Sequence, residues 1–454
     1  MTYKTLLTYG AKVAQVEQMY YSPVSIIPET NVTLSSIYCL LGRPDAWSDD
    51  NNPPTPTQDQ LYVKNFLKRV FVAKQITSNN ISPVIQRINW TLGETYNYYD
   101  DSVNMFATDS NGFLLKLFYV RNQYDQVFKC LWNNNGAPST AEPYFQPGSY
   151  GTNNIFQGTD GYKWKYMFTI DLGLKVNFMD STWIPVPVGN KTPNPLDSTA
   201  GYGNIDVINV TNGGSGYDPA NSTITVTVTG DGTGAIGSAV TSNDAITNVI
   251  VTNTGQNYTY ANVSISSASG LGATVISPVS PIGGHGYDPI SELGCFNVML
   301  IAEFNGSESG LIPTDINYHQ IGILVNPTTN SLSPSPANGA IYKTTTDLVV
   351  SPGFGSYIFD EILYQGSSVD NATFTGTVLS FDPASNVIRL INTTGTMVVN
   401  APIFGLNSKT TRTLLSYSTP DFVTLSGYLS YIENRSAIQR SADGIEQFKI
   451  VLGF

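Results

Sequence analysis

The sequence predicts a mainly β, multidomain fold: a β-sandwich-like core with a few short helices and inserted small β modules. Three observations carry that expectation. Short segments alternate in character at period two, as in Tyr162-Lys163-Trp164-Lys165-Tyr166-Met167-Phe168. Turns rich in Asn, Gly and Pro separate them, with 40 Gly and 26 Pro among 454 residues. Charged residues make up only 12% of the chain, about half the usual share of roughly 25%, while aromatics reach 11%. That balance excludes a disordered chain and a coiled coil. A formal charge of −12 excludes a basic, nucleic-acid-coating protein. At roughly 100–200 residues per domain, the length allows two to four domains.

The elements follow in order. Val13, Val16 and Tyr20 recur at helical spacing within 11–21. Residues 31–41 alternate and then turn apolar, which reads as a strand entering a core. A Pro-rich loop ends at Pro56. The clearest helix follows, with Thr57 and Gln60 as a capping box and Val63, Phe66, Leu67, Val70 and Phe71 as one apolar stripe. From 81 to 190 many short strands are expected, including 113–120 and 162–170. In the second, Tyr162, Trp164, Tyr166 and Phe168 point one way and Lys163 and Lys165 the other, so a sheet with one wet face is expected. Later strands are placed at 296–304, 319–325, 361–365, 373–381, 387–392 and 448–454, with a Ser/Pro/Asn-rich linker at 326–339.

Residues 203–289 contain an internal repeat. Ile208-Asn209-Val210-Thr211-Asn212-Gly213-Gly214-Ser215-Gly216-Tyr217 returns as Val249-Ile250-Val251-Thr252-Asn253-Thr254-Gly255-Gln256-Asn257-Tyr258. Each copy is followed by an alternating strand, at 222–229 and 262–266, and ends in Gly-x-Gly-Ala, at 232–235 and 270–273. A truncated echo is Gly283-Gly284-His285-Gly286-Tyr287-Asp288-Pro289. Such a repeat builds a small all-β module with turns that call on glycine. It lies inside a window, from Lys191 to Lys343, that has no Lys or Arg between those two residues but holds ten acidic residues. The rest of the chain carries 22 basic against 24 acidic residues and is close to neutral.

Little in the chain points to chemistry. Cys39, Cys130 and Cys295 are widely spaced among apolar neighbours and are expected to be buried, reduced thiols. His319 sits in an apolar strand-like run and reads as structural. His285 stands where the sister copy has Ser215, a poor position for a catalyst. No nucleophile elbow is present, and the Gly-rich turns lack the Lys and the helix of a phosphate-binding loop. Asp45, Asp49 and Asp50, and likewise Asp100 and Asp101, cluster without a metal-binding spacing. No catalytic residue, cofactor or metal ligand is therefore assigned, and the chain is not expected to be an enzyme. No apolar run is long enough to span a membrane. The N-terminal apolar stretch is too short for a signal peptide, so synthesis in a cytosol-like compartment is expected.

Six segments, in order, resemble the baseplate wedge subunits of T4-like contractile-tailed bacteriophages, the tail gene 8 product family. They are Gly42-Arg43-Pro44-Asp45-Ala46-Trp47-Ser48 with Pro54-Thr55-Pro56-Thr57; Ile85-Gln86-Arg87-Ile88-Asn89-Trp90; Asp160-Gly161-Tyr162-Lys163-Trp164-Lys165-Tyr166-Met167-Phe168; Gln320-Ile321-Gly322-Ile323-Leu324-Val325-Asn326-Pro327; Gly427-Tyr428-Leu429-Ser430-Tyr431-Ile432-Glu433-Asn434-Arg435; and the closing strand to Phe454. The resemblance covers about 1–200, 291–327 and 426–454. Where the family reads Asn-Arg-Pro-Pro-Ile, this chain has Asn434-Arg435-Ser436-Ala437-Ile438 and lacks both prolines.

The resemblance implies a structural virion protein of the tail baseplate, assembled in the host cytoplasm. It would be a homodimer that packs against other wedge proteins, without nucleic acid. Combined with the repeats and composition, it divides the chain into a core domain shared by both termini (1–90, 291–327 and 426–454), a second β domain (91–202), a repeat-containing β insertion (203–290) and a second β insertion (328–425). The family-like motif residues are Gly42, Arg43, Trp47, Arg87, Trp90, Asp160, Gly161, Trp164, Asn326, Glu433, Asn434 and Arg435. Arg43, Arg87 and Arg435 are expected to hold loops through local salt bridges and backbone hydrogen bonds. The alternative reading is a glycan- or host-surface-binding tail module, in which aromatics of the repeat stack on sugars.

Overall fold

The computed structural model describes residues 6–21, 36–148, 154–189, 203–314 and 316–454. Among them are 27 strands and four α-helices, so the chain is mainly β. It divides into two compact units. One comprises Met1–Gln18, Ser82–Met299 and Val451–Phe454, and the other Met19–Ile81 and Leu300–Ile450. Among the described residues no helix is long and apolar enough to cross a membrane.

The unit containing Leu300–Ile450 is built on a five-stranded antiparallel sheet. Its strand order is Ile341–Lys343, Val70–Ile76, Ile37–Gly42, Asn317–Val325 and Tyr428–Gln439. Every residue of Ile37–Gly42 is buried, as expected of a central strand with both faces covered. Of the segment read as a strand at 31–41, residues 31–35 lie outside the described residues. The strand Tyr428–Gln439 continues through Ser436 and Ala437 in place of a turn after Arg435, with its register against Asn317–Val325 shifted between Asn434 and Ile438.

The helix before this sheet differs from the sequence reading at both ends. It spans Gln60–Lys68, and its N-cap is Asp59, whose Oδ1 accepts the Tyr62 N–H at 2.7 Å. The Thr57 hydroxyl donates to the other Asp59 oxygen instead of capping. A carboxylate makes a charge-assisted bond and faces the positive end of the helix dipole, which favours it over the hydroxyl. Val70 and Phe71 are not on the helix; they open the strand Val70–Ile76, whose Ile76 pairs with Ile37. Two β-branched residues, Val70 and Val72, favour the pleated form once Arg69 leaves helical geometry. Asp59→Ala should lower the urea midpoint of this unit, and Thr57→Ala should lower it less.

The helix packs Phe66 and Leu67 against Tyr38, Leu40 and Leu324 of the sheet. Phe66 sits over two glycines on different strands. A Cβ added at Gly42 would come within 3.0 Å of its ring, and one at Gly322 within 2.5 Å. Those positions are glycine for room. Later in the chain, six strands close a barrel in the order Thr346–Val350, Val387–Gly395, Ala372–Asp382, Ile362–Gly366, Pro402–Gly405 and Thr411–Ser418. Leu348, Leu363, Ile388, Leu390, Ile403 and Leu414 fill it. Closure leaves no exposed strand edge.

The other unit carries a four-stranded antiparallel sheet, called the platform below. Its order is Tyr119–Arg121, Gln126–Trp132, Lys163–Thr169 and Ile155–Gln157. Of the strand expected at 113–120, only Tyr119–Arg121 forms, because the Leu114 and Leu117 N–H groups donate to side-chain oxygens, Gln86 Oε1 and Asn97 Oδ1, instead of to a ladder partner. The expected wet face of the platform is a second correction. Lys163 and Lys165 are 7% and 5% exposed, and Lys129, paired with Lys165 in the register, is fully buried. Residues from 203–292 cover that face.

The repeat module shows how its two copies fold together. Asn209–Ser215 of the first copy pairs with Leu271–Ile276 of the second. Ala245–Gln256 of the second pairs with Thr233–Ser242 of the first. The middle strands, Thr225–Gly230 and Ala261–Ser266, pair with each other. Each copy thus completes the other, with Ile208 bridging to Val249 where the copies meet. The core contains Ile208, Val249, Tyr217 and Tyr258, which are equivalent positions in the repeat. Even the side-chain bonds repeat: the Ala273 N–H donates to Tyr217 Oη and the Ala235 N–H to Tyr258 Oη, both at 3.3 Å. The echo at 283–289 adds no strand and forms turns that lead to a short helix, Pro289–Glu292.

Candidate functional site

Seven of the twelve motif residues fall in the Leu300–Ile450 unit, six of them in one bonded cluster. Arg43 follows Gly42 with φ +52, a conformation that side chains other than glycine adopt rarely. Its carbonyl accepts from the His319 N–H at 3.0 Å and faces His319 Nδ1 at 2.9 Å, so Nδ1 carries the proton. Its guanidinium lies 3.8 Å from the centre of the Trp47 ring and 3.0 Å from Asp45, which also pairs with Arg69. Trp47 Nε1 donates to the Arg435 carbonyl at 2.9 Å, across 388 residues of sequence. Arg435 pairs with Glu433 at 2.8 Å. Asn434 Oδ1 accepts from Tyr62 Oη and Gln320 Nε2, both at 2.8 Å, and its Nδ2 donates to the Pro54 carbonyl at 2.6 Å. Asn326 stands apart: at φ +56, it exchanges two bonds with the Ser36 backbone.

Asn434 therefore joins the sheet, the helix and the Pro-rich loop through one amide. Asn434→Ala should cost about 1–3 kcal/mol, because Tyr62 and Gln320 lose a shared acceptor in a half-buried site. Chemical denaturation would show it, and Asn434→Asp, which keeps the acceptor, should be milder.

The remaining five lie in the platform unit. Trp90 Nε1 donates to Ser139 Oγ at 3.0 Å, and Ser139 Oγ donates to Asp160 Oδ2 at 2.9 Å. The same carboxylate oxygen accepts from the Thr140 and Ala141 N–H groups, so Asp160 fastens the loop 139–141. Gly161 has φ +83 and lies against Asn134, leaving no room for a Cβ. Trp164 is fully buried and stacks on Tyr162 at 5.4 Å between ring centres. Arg87 is separate: its Nη1 donates to the Asp180 carbonyl at 2.6 Å and its Nε to Asn89. All three singled-out arginines thus bind acceptors within their own unit.

Sequence reasoning missed a buried ionic cluster on the platform. Lys129 Nζ lies 3.0 Å from Glu292 Oε2, 3.1 Å from His285 Nδ1 and 4.2 Å from the centre of the Tyr99 ring. Glu292 Oε1 accepts from the Gly286 and Asp288 N–H groups. Asp206 Oδ2 accepts from Ser280 Oγ at 2.7 Å and from the His285 N–H at 3.1 Å. Lys163 Nζ donates to the Ile208 carbonyl at 2.9 Å.

Burial raises Glu292, but Lys129, the Gly286 amide and, once it is protonated, His285 outweigh it and bring the carboxyl down to about 2. Burial lowers Lys129, with Glu292 opposing, and lowers Lys163 to about 8. Burial and then Lys129 push His285 below its ordinary value, so the ring is neutral at pH 7. The signal that could have found this cluster was charge complementarity. Lys129, Lys163 and Lys165 face a segment that has no basic residue of its own and contributes Asp206 and Glu292.

The three cysteines are free and buried, with burial raising each thiol. Asp49, Asp50 and Asp100 bond to nearby backbone N–H groups. Among the described residues no group of three or more His, Cys, Asp or Glu side chains could hold a metal ion. No protein-family model matches the chain, and no curated protein matches it in sequence.

Proposed function

We propose that the chain is a structural subunit of a contractile-tail baseplate wedge, which forms a homodimer and packs against other wedge proteins during assembly and contraction. It would act in the virion tail after assembly in the host cytoplasm. One observation supports this best. Trp47 binds the Arg435 carbonyl, Asn434 the Pro54 carbonyl and Asn326 the Ser36 N–H, across 388, 380 and 290 residues of sequence, while Asp160, Arg87 and Arg435 fasten nearer loops within their own units. That is the behaviour of residues fixing a scaffold. A low charged fraction with many Tyr, Asn, Ser and Thr suits large, wet, permanent interfaces.

The sugar-binding alternative drew on the aromatics of the repeat. Tyr217 and Tyr258 are 2% and 4% exposed and face the module's own core, so neither can stack on a sugar.

Mass spectrometry of purified tails and light scattering of the isolated full chain test the proposal. It expects the chain in the tail and a dimer in solution. A chain absent from tails and monomeric at tens of micromolar would overturn it.

A further inference from the structure

We propose that His285 is an acid-sensitive catch that holds both connections of the repeat module on the platform and releases them when it takes up a proton.

The geometry places both ends of the module at one point. Asp206 precedes the first module strand, and Ser280 and His285 follow the last. Asp206 binds both of the latter, and the Ser280 N–H donates to the Asn204 carbonyl at 2.9 Å. Lys129 then ties this junction to the platform through His285 Nδ1 and Glu292. The Lys129 ammonium is a donor only, so His285 Nδ1 accepts from it and must carry no proton. The proton of the neutral ring sits on Nε2, which is buried and has no hydrogen-bond partner among the described residues. A second proton has one place to go, Nδ1, and adding it there removes the acceptor and sets two cations 3.1 Å apart in a site closed to water.

The groups facing His285 are known from each packed element. The platform presents Lys129 and Lys165. The 98–101 loop presents the Tyr99 ring edge-on at 4.9 Å, with Asp101 beyond it. The module entry presents Asp206, and the short helix presents Glu292 at 3.7 Å. The two carboxylates already have donors, Lys129 and two amides on Glu292 and Ser280 with the His285 amide on Asp206, so neither is free to serve a new imidazolium alone.

The sign follows from linkage. His285 is held below its unfolded value of 6.5, so its contribution is complete above 6.5 and is lost as the pH falls through the folded value. Glu292, at about 2 in the fold against 4.5 unfolded, gives up its contribution only below 4.5. Between 6.5 and 4.5 the histidine therefore acts ahead of Glu292.

Hydrogen exchange on the full chain, corrected for intrinsic rates, tests the catch. The protection of the Ser280, His285, Gly286 and Asp288 amides should fall by up to about tenfold per pH unit below 6.5. Amides within the module strands, such as Val228 and Val263, should stay protected, which separates release from global unfolding. His285→Gln keeps an acceptor for Lys129 and cannot titrate, so its junction should stay closed to about pH 4.5. The same pH slope in His285→Gln, or a flat wild-type profile, would overturn the proposal. Should the variant be open already at pH 7, the wild-type chain decides by NMR, since it has only two histidines. A His285 ring titrating below 6.5 together with amide release supports the catch, and one titrating at or above 6.5 refutes it.

Discussion

Replacing Lys129 with Met should be among the most damaging single changes in the platform unit, costing about 3–5 kcal/mol. Lys129 has no exposed surface, and Glu292 has 1%. Removing the ammonium leaves Glu292 ionised by its two amide donors but without a counter-charge in a site that water does not reach. The penalty is that of an uncompensated buried carboxylate, more than the loss of one ion pair. The expected relief is specific. Lys129→Met with Glu292→Gln should recover most of the loss, because glutamine keeps an acceptor for the Gly286 and Asp288 amides and carries no charge. Urea unfolding followed through Trp132 and Trp164 would read the cycle. A Lys129→Met chain as stable as the wild type, or a double variant no better than the single one, would contradict it.

The second large effect is a matched pair. Gly232→Ala and Gly270→Ala should destabilise the repeat module equally, by about 1–3 kcal/mol or more. A Cβ at Gly270 would enter the Tyr217 ring, and one at Gly232 the Tyr258 ring. These are the first glycines of the two Gly-x-Gly-Ala segments. The second glycines, Gly234 and Gly272, would bring a Cβ only into ordinary contact, 3.7 Å from Gly255 and 3.8 Å from Gly214, but have φ of +85 and +84. Alanine there meets backbone strain with no clash, so a smaller cost of roughly 1 kcal/mol is expected. Tyr217→Ala should relieve Gly270→Ala but not Gly232→Ala, since each ring fills only its own site. Exchange of amides in the module strands would report all of these variants, and unequal effects at positions 232 and 270 would show that the two halves are not energetically equivalent.

Much of the fold was legible because its signals are local. Period-two alternation marked the strands Lys163–Thr169 and Ala372–Asp382, and the tandem motif marked the module before any pairing was known. Failures came where two local signals compete or where a long-range partner decides. At 57–71 the capping signal was ambiguous between Thr57 and Asp59, and an apolar stripe at helical spacing hid a strand whose first residues happened to extend it. At 113–118 side-chain amides took the place of a strand partner.

The two lysines of Lys163–Thr169 show where sequence stops. Alternation fixes that Lys163 and Lys165 share a face, because successive side chains on a strand must point to opposite sides. It does not say what covers that face. Likewise the repeat fixed that two equivalent tyrosines and two sets of glycines exist, but not that each copy would lend its first strand to the other's last. The sequence by itself determined the β class, the existence and turn chemistry of the repeat, and which residues of a strand such as Lys163–Thr169 share a face. Only the tertiary structure decided that the lysine face is buried under an acidic segment and that Trp47 meets Arg435. The physical reason is range: periodicity and capping act over a few residues, whereas covering a face depends on which distant segment offers complementary shape and charge at the lowest free energy.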